Sequence, residues 1–163
     1  MKEPYLVLLY YCYTNISNPN KFREKHHLFC IDNNLKGRII VSKEGINGTI
    51  SGKKNDCENY MKKIYSDIRF KNVEFKIAKY PKNVFNKLNV RLKKEIVNSG
   101  IKNIDPNKLS GKYIEPKEFK SILKNNDDDV VILDIRSNYE YNVGKFKNAI
   151  TLDIENFREF QAK

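Results

Sequence analysis

Residues Arg38 to Gly52, RIIVSKEGINGTISG, constrain the fold more than any other stretch. They place two strand-forming runs on either side of Gly45, with a strand and helix pattern before them and a helix and strand pattern after. Ahead of them, YLVLLYYCY (Tyr5 to Tyr13) is apolar and rich in residues that suit a pleated, half-buried surface, so a central strand is expected. Asn18 and Pro19 form a cap and first-turn pair, and Phe22, His26, Phe29 and Asn33 recur at helical spacing, which predicts a helix ending near Leu35. Beyond Gly52, Cys57, Tyr60 or Met61, Ile64 and Ile68 share one helix face, with Lys54, Lys62 and Lys63 on the others. VEFKIAKY (Val73 to Tyr80) then alternates as a strand that Pro81 ends. The order β-α-β-β-α-β over residues 1–98 is that of an α+β ferredoxin-like fold.

Charge separates this unit from the rest. Of the formal net charge of +11, residues 1–98 hold 20 Lys+Arg against 9 Asp+Glu, while residues 99–163 hold 11 against 11. A polyanion such as RNA is attracted to the first segment with salt-sensitive affinity. Lys outnumbers Arg 25 to 6, as an AT-rich genome would also produce, but that bias alone raises Lys throughout. KLNVRLK, from Lys87, places Leu88, Val90 and Leu92 on one side of a strand and Lys87, Asn89, Arg91 and Lys93 on the other. This ribbon reads either as a phosphate-contacting surface or as an edge strand guarded by lysines against aggregation.

Other candidate groups are weaker. In SKEGINGTISG (Ser42 to Gly52), Lys43, Glu44 and Asn47 offer polar groups to a nucleotide or a neighbouring domain, or the glycines and the Asn-Gly pair simply make a hairpin turn. The block lacks the ending of a phosphate-binding P-loop. His26 and His27 are consecutive and point in different helical directions, which argues against a metal site. Cys12, Cys30 and Cys57 form no C-x-x-C pair, Cys57 falls on an apolar helix face, and an odd number of cysteines fits a reducing cytoplasm. The apolar run at Tyr5 is nine residues long, short of the ~20 a membrane-spanning helix needs.

Residues 99–112, polar with Pro106 and two glycines, read as a linker to a second unit at 113–163. There, Val130 to Leu133 form an unbroken apolar run suited to a strand buried on both faces of a parallel sheet, closed by Asp134 and Arg136. A carboxylate and a guanidinium at the carboxyl end of such a strand either brace a reacting loop beside the ligand crevice or order the turn as a plain ion pair. Glu115 to Leu123 suggests a short helix, TLDI a second strand and NFREF the start of another helix. Two strands cannot close a doubly wound sheet, so this unit reads as an incomplete α/β domain.

Four blocks carry a resemblance. LDIRSNYEYNVGKFKNAI (Leu133 to Ile150) resembles the front half of a rhodanese-like domain. SKEGINGTISG, FNKLNVRLKKEIVNSGI (Phe85 to Ile101) and NFREF (Asn156 to Phe160) are similar, in the same order, to segments of the bacterial tRNA uridine(34) hydroxylase family. The resemblance implies an acylphosphatase-like basic domain ahead of a rhodanese-like one, acting in the cytoplasm on the tRNA anticodon arm, with neither DNA nor membrane as partner. It implies an oxidoreductase that places a hydroxyl on carbon 5 of the wobble uridine with molecular oxygen as co-substrate and no metal or flavin cofactor. The cysteine of a C-T-G-G-I-R-C-like loop is then expected beyond Lys163, so that this chain by itself is inactive. Asp134 and Arg136 would support that loop, Lys43, Arg91 and Lys93 would contact RNA, and Glu140 would be structural or secondary. Lys145 stands where rhodanese-like segments often carry His, so no role for a His transfers. A rhodanese-type sulfurtransferase and a non-catalytic RNA-binding fragment are the alternatives.

Overall fold

The computed structural model describes residues 4–97, 100, 111–125 and 129–163. The chain divides into two compact units, Met1–Val97 and Asn98–Lys163. The expected 99–112 linker lies mostly outside the described residues.

In the first unit the elements follow the predicted order: β1 (Tyr5–Tyr13), α1 (Pro19–Asp32), β2 (Lys36–Ser42), β3 (Gly45–Lys53), α2 (Lys54–Tyr65), β4 (Lys76–Tyr80) and β5 (Leu88–Leu92). The sheet order is β4-β1-β3-β2-β5. Its first four strands are antiparallel neighbours, the ferredoxin-like arrangement, and β5 is added parallel to β2. Both helices cover one face, with α1 on β2 and β5 and α2 on β1 and β3. Alternation decides which side chains they bury: Leu6, Leu8 and Tyr10 of β1 join Ile39, Val41, Ile46 and Ile50 in the core, while Leu9 and Tyr11 remain exposed on the other face.

Local chemistry accounts for the boundaries. Asn18 Oδ1 accepts the Lys21 amide at 3.0 Å and Pro19 opens α1, as expected from the cap pair. Gly48 stands over the Tyr10 ring, so closely that an added Cβ would lie 2.3 Å from the Tyr10 hydroxyl. Two expectations are corrected. Asn47 and Gly48 lie inside β3, and the turn is made by Lys43 and Glu44 with Ser42 paired to Gly45, so the Asn-Gly pair is not the hairpin turn. Ile68 leaves the apolar face of α2, since the helix stops at Tyr65 and Ile68 sits exposed in a 3-10 turn capped by Asp67.

The second unit contains α3 (Pro116–Asn125), β6 (Leu133–Asp134), α4 (Asn138–Val143), β7 (Ile150–Thr151) and a 3-10 helix at Phe157–Ala162. β6 and β7 pair in parallel, with the Ile150 amide donating to the Ile132 carbonyl at 2.9 Å. The doubly buried strand expected at Val130 to Leu133 is corrected to a two-residue strand. Val131 is 71% exposed and Val130 and Leu133 are exposed too. A parallel strand is buried on both faces only when neighbouring strands and helices flank it, and among the described residues β6 has a single partner strand.

Candidate functional site

The β2–β3 turn is built by its own residues. The Glu44 amide donates to Ser42 Oγ at 3.0 Å, and the amides of Thr14 and Ile16 donate to the Glu44 and Lys43 carbonyls, each at 2.9 Å. The Glu44 carboxylate then accepts the Ile96 amide at 2.7 Å, and Asn47 Nδ2 donates to the Ile96 carbonyl at 2.9 Å. Both side chains are therefore engaged in holding the segment after β5 against the hairpin. The partner the structure gives them is Ile96 of their own unit, where a nucleotide or a neighbouring domain was expected.

The other basic candidates gather near this turn. Lys43 is exposed at the turn, and the Lys93 amide donates to the Val41 carbonyl at 2.9 Å, which carries β5 alongside the end of β2. Arg91 lies opposite Ile40 on the face away from the helices, where its Nε donates to Asn89 Oδ1 at 2.9 Å. None of these three cations has a carboxylate partner among the described residues. The corner formed by β2, β5 and the turn thus offers charge without chemistry of its own. β5 is also the edge of the sheet, so its lysines serve both readings of the ribbon.

Buried titratable groups in this unit are structural. His26 Nε2 lies 2.8 Å from the Tyr60 hydroxyl, which in turn hydrogen-bonds the Tyr10 hydroxyl. Burial, with the positive charge of Lys63 adding to it, pulls the His26 imidazole down to about 4, so it is neutral near pH 7. Burial also raises Tyr10 and Tyr60. It pushes the Cys30 thiol up to about 12, the Cys57 thiol up to about 11 and Cys12 upward as well, so no thiolate nucleophile is favoured here. No cluster of metal-ligating side chains occurs among the described residues.

In the second unit Asp134 and Arg136 form a two-pronged pair, Nε to Oδ1 at 2.9 Å and Nη2 to Oδ2 at 2.6 Å. Arg136 Nη2 also donates to the Gly144 carbonyl at 2.7 Å, tying β6 to the end of α4. The Arg136 hydrogen bonds hold the Asp134 carboxyl below the usual carboxylate range, and the pairing raises Arg136. Ser137 and Glu140 complete a capping box on α4, and the Ser137 hydroxyl and amide lower Glu140. The Glu140 carboxylate is thereby engaged at the start of α4. Lys145 Nζ stands 3.9 Å over the Tyr141 ring. Asp134, Arg136 and Lys145 border a cavity of about 640 Å³ whose other walls are mainly apolar, among them Phe119, Val131, Leu133 and Phe146. An ionised carboxylate already matched to a guanidinium can position a loop there, but it is poorly placed to move protons.

Comparison with known sequences decides the family. The profile of the UPF0176 acylphosphatase like domain matches residues 5–96, which is the first compact unit. The chain belongs to the UPF0176 family. Among relatives of this UPF0176 chain, the tRNA uridine(34) hydroxylase of Cytophaga hutchinsonii is 53% identical over 163 residues, covering 100% of this chain and 51% of that protein. The tRNA uridine(34) hydroxylase of Bacillus licheniformis is 47% identical over 160 residues, covering 98% of this chain and 49% of that one. The chain thus spans about half the length of the curated relatives it matches. Among solved structures, the BLUF protein BlrB in its dark state superposes with a TM-score of 0.51 at 13% identity, covering 75% of this chain and 94% of that one, a likeness of fold alone.

One group escaped the sequence reading. Arg38 and Phe85 line a groove of about 560 Å³ together with Lys87, on the face of the sheet opposite α1 and α2. The alternation that placed Arg91 on that face would have placed Arg38 there also, but the approach of Phe85 depends on where the β4–β5 connection crosses.

Proposed function

We propose that the protein acts in tRNA modification, as the hydroxylase that makes 5-hydroxyuridine at the wobble position. The observation that carries this is the identity of 53% and 47% to tRNA uridine(34) hydroxylases over nearly every residue of this chain. In this reading the basic unit grips the anticodon arm through Lys43, Arg91 and Lys93. Molecular oxygen is the co-substrate: one oxygen atom replaces the hydrogen on carbon 5 and the other leaves as water, with two electrons and two protons drawn from a reductant that this chain does not supply. The second unit is the opening part of a rhodanese-like domain. Its Asp134–Arg136 pair orders the approach to a reactive cysteine supplied from the remainder of the parent protein, because burial keeps the thiols of Cys12, Cys30 and Cys57 protonated. The wobble base, splayed from the anticodon loop, is what such a thiol would meet. Three cysteines in no redox or metal pattern suit a cytoplasmic enzyme.

Mass spectrometry of tRNA from cells deleted for the full-length gene tests this. The expected result is loss of 5-hydroxyuridine-derived wobble nucleosides, restored by the full-length gene and not by the 163-residue chain. Unchanged wobble bases with altered thiouridine would overturn it in favour of sulfur transfer. Turnover by the 163-residue chain would overturn the placement of the thiol.

A further inference from the structure

β4 and β5 lie at opposite edges of the sheet, so residues 81–87 that join them must cross it. They cross on the face opposite α1 and α2. Asn83 Nδ2 donates to the Ser51 carbonyl at 3.3 Å, Asn83 Oδ1 accepts the Phe85 amide at 3.1 Å, and the Gly37 amide donates to the Lys87 carbonyl at 3.0 Å. The crossing segment is thus tied to β3 at its start and to β2 at its end. Between it and the strands lies the groove of about 560 Å³, lined by Arg38, Thr49, Phe85, Asn86, Lys87 and Asn89.

We propose that this groove binds single-stranded RNA, with backbone phosphate at Arg38 and Lys87 and a base laid against Phe85. This rests on the tRNA reading above and names a surface for it. Three observations argue for that occupant. Among the described residues, Arg38 and Lys87 are exposed and have no carboxylate partner, and no acidic residue lines the groove. Thr49, Asn86 and Asn89 supply neutral hydrogen-bonding groups at the same place, of the kind that engage phosphate, sugar and base edges. The surface continues past the groove: Arg38 lies opposite Thr49, which lies opposite Leu9, and in the next row of that face Tyr11 is 63% exposed. An aromatic ring flanked by cations accepts any unstacked base, whereas the bases of a duplex are stacked and out of its reach. The groove volume falls in the ~300–1,000 Å³ range of small-ligand clefts.

The test is fluorescence anisotropy of the 163-residue chain with a short labelled oligouridylate, titrated at several salt concentrations. Replacing both cations, R38Q with K87Q, should weaken binding by on the order of tenfold. It should also lower the magnitude of the log–log salt slope by about 1.4, at ~0.7 per phosphate on a single strand. F85L should weaken binding on the order of tenfold with the slope unchanged, as the loss of base stacking does. K54Q with K62Q, on α2 across the sheet, should change neither. The cation variant is at the surface and decides the matter even if F85L folds poorly. An unchanged affinity and slope in R38Q/K87Q, or equal competition by duplex RNA, would overturn the proposal. Failure of the wobble-hydroxylation reading would show in cellular tRNA and leave these binding results standing. Conversely, full wobble modification by the full-length R38Q/K87Q protein would remove the groove from the substrate path without touching the activity.

Discussion

The carboxylate of Glu44 accepts the amide of Ile96 at 2.7 Å, across 52 residues of chain, and Asn47 Nδ2 donates to the carbonyl of the same residue. Ile96 is 1% exposed, so both of its backbone groups find partners in side chains of the β2–β3 hairpin. Removing one partner leaves a backbone group without a bond and without water. E44A should therefore destabilise the first unit by roughly 1–3 kcal/mol, read as a shift of the urea midpoint at unchanged slope. A change within about 0.3 kcal/mol would mean that water satisfies the amide.

Gly48 is fixed by the ring above it. A methyl group there meets the Tyr10 hydroxyl at 2.3 Å and the ring carbon bearing it at 2.5 Å, in a core where Tyr10 is already tied to Tyr60. G48A should cost about 1–3 kcal/mol by overpacking and should weaken the near-ultraviolet circular dichroism of the buried tyrosines. Wild-type stability with an unaltered spectrum would show that the ring moves aside freely.

The pH dependence of stability follows from His26. Its folded-state value is about 4, below the ordinary 6.5, so between those two values the unfolded chain binds more protons than the folded one. Stability contributed by the neutral form is fully present above pH 6.5 and falls as pH drops toward 4, by up to roughly 3 kcal/mol. Urea midpoints measured across that window should decline in the wild type and decline less in H26L. Parallel curves for the two proteins would exclude His26 as the cause.

Arg136 joins the Asp134 carboxylate to the Gly144 carbonyl, a span that closes the loop around α4. R136A should accelerate amide hydrogen exchange over residues 134–145 while leaving exchange in β1 and β3 unchanged. R136K, which keeps the charge but loses the planar fork, should fall nearer to R136A than to wild type. Unaltered exchange in R136A would show that the capping box at Ser137 and Glu140 holds the loop alone.

Arg91 and Lys93 carry charge at the β2–β5 corner with no carboxylate to neutralise it among the described residues. R91A with K93A should weaken tRNA binding by the 163-residue chain and reduce its salt slope by about one for each phosphate the variant no longer neutralises. An unchanged slope would take this corner off the RNA surface and leave the ribbon as edge protection.

The first unit was legible because its determinants are local. A cap at Asn18, alternation in Tyr5 to Tyr13 and helical spacing around Cys57, Tyr60 and Ile64 each act within a few residues, and together they determine the β-α-β-β-α-β order and the burial of one face. Charge asymmetry and the family blocks were likewise readable without coordinates. What only the tertiary structure decided involves partners distant in sequence. Glu44 and Asn47 were taken up by Ile96, His26 was neutralised by burial beside Tyr60, and Phe85 was brought to the same groove as Arg38 by a connection crossing the sheet. Val130 to Leu133 has the composition of a buried strand, yet Val130, Val131 and Leu133 stay exposed. Burial belongs to the neighbours that cover a strand, and composition carries only the preference for having them.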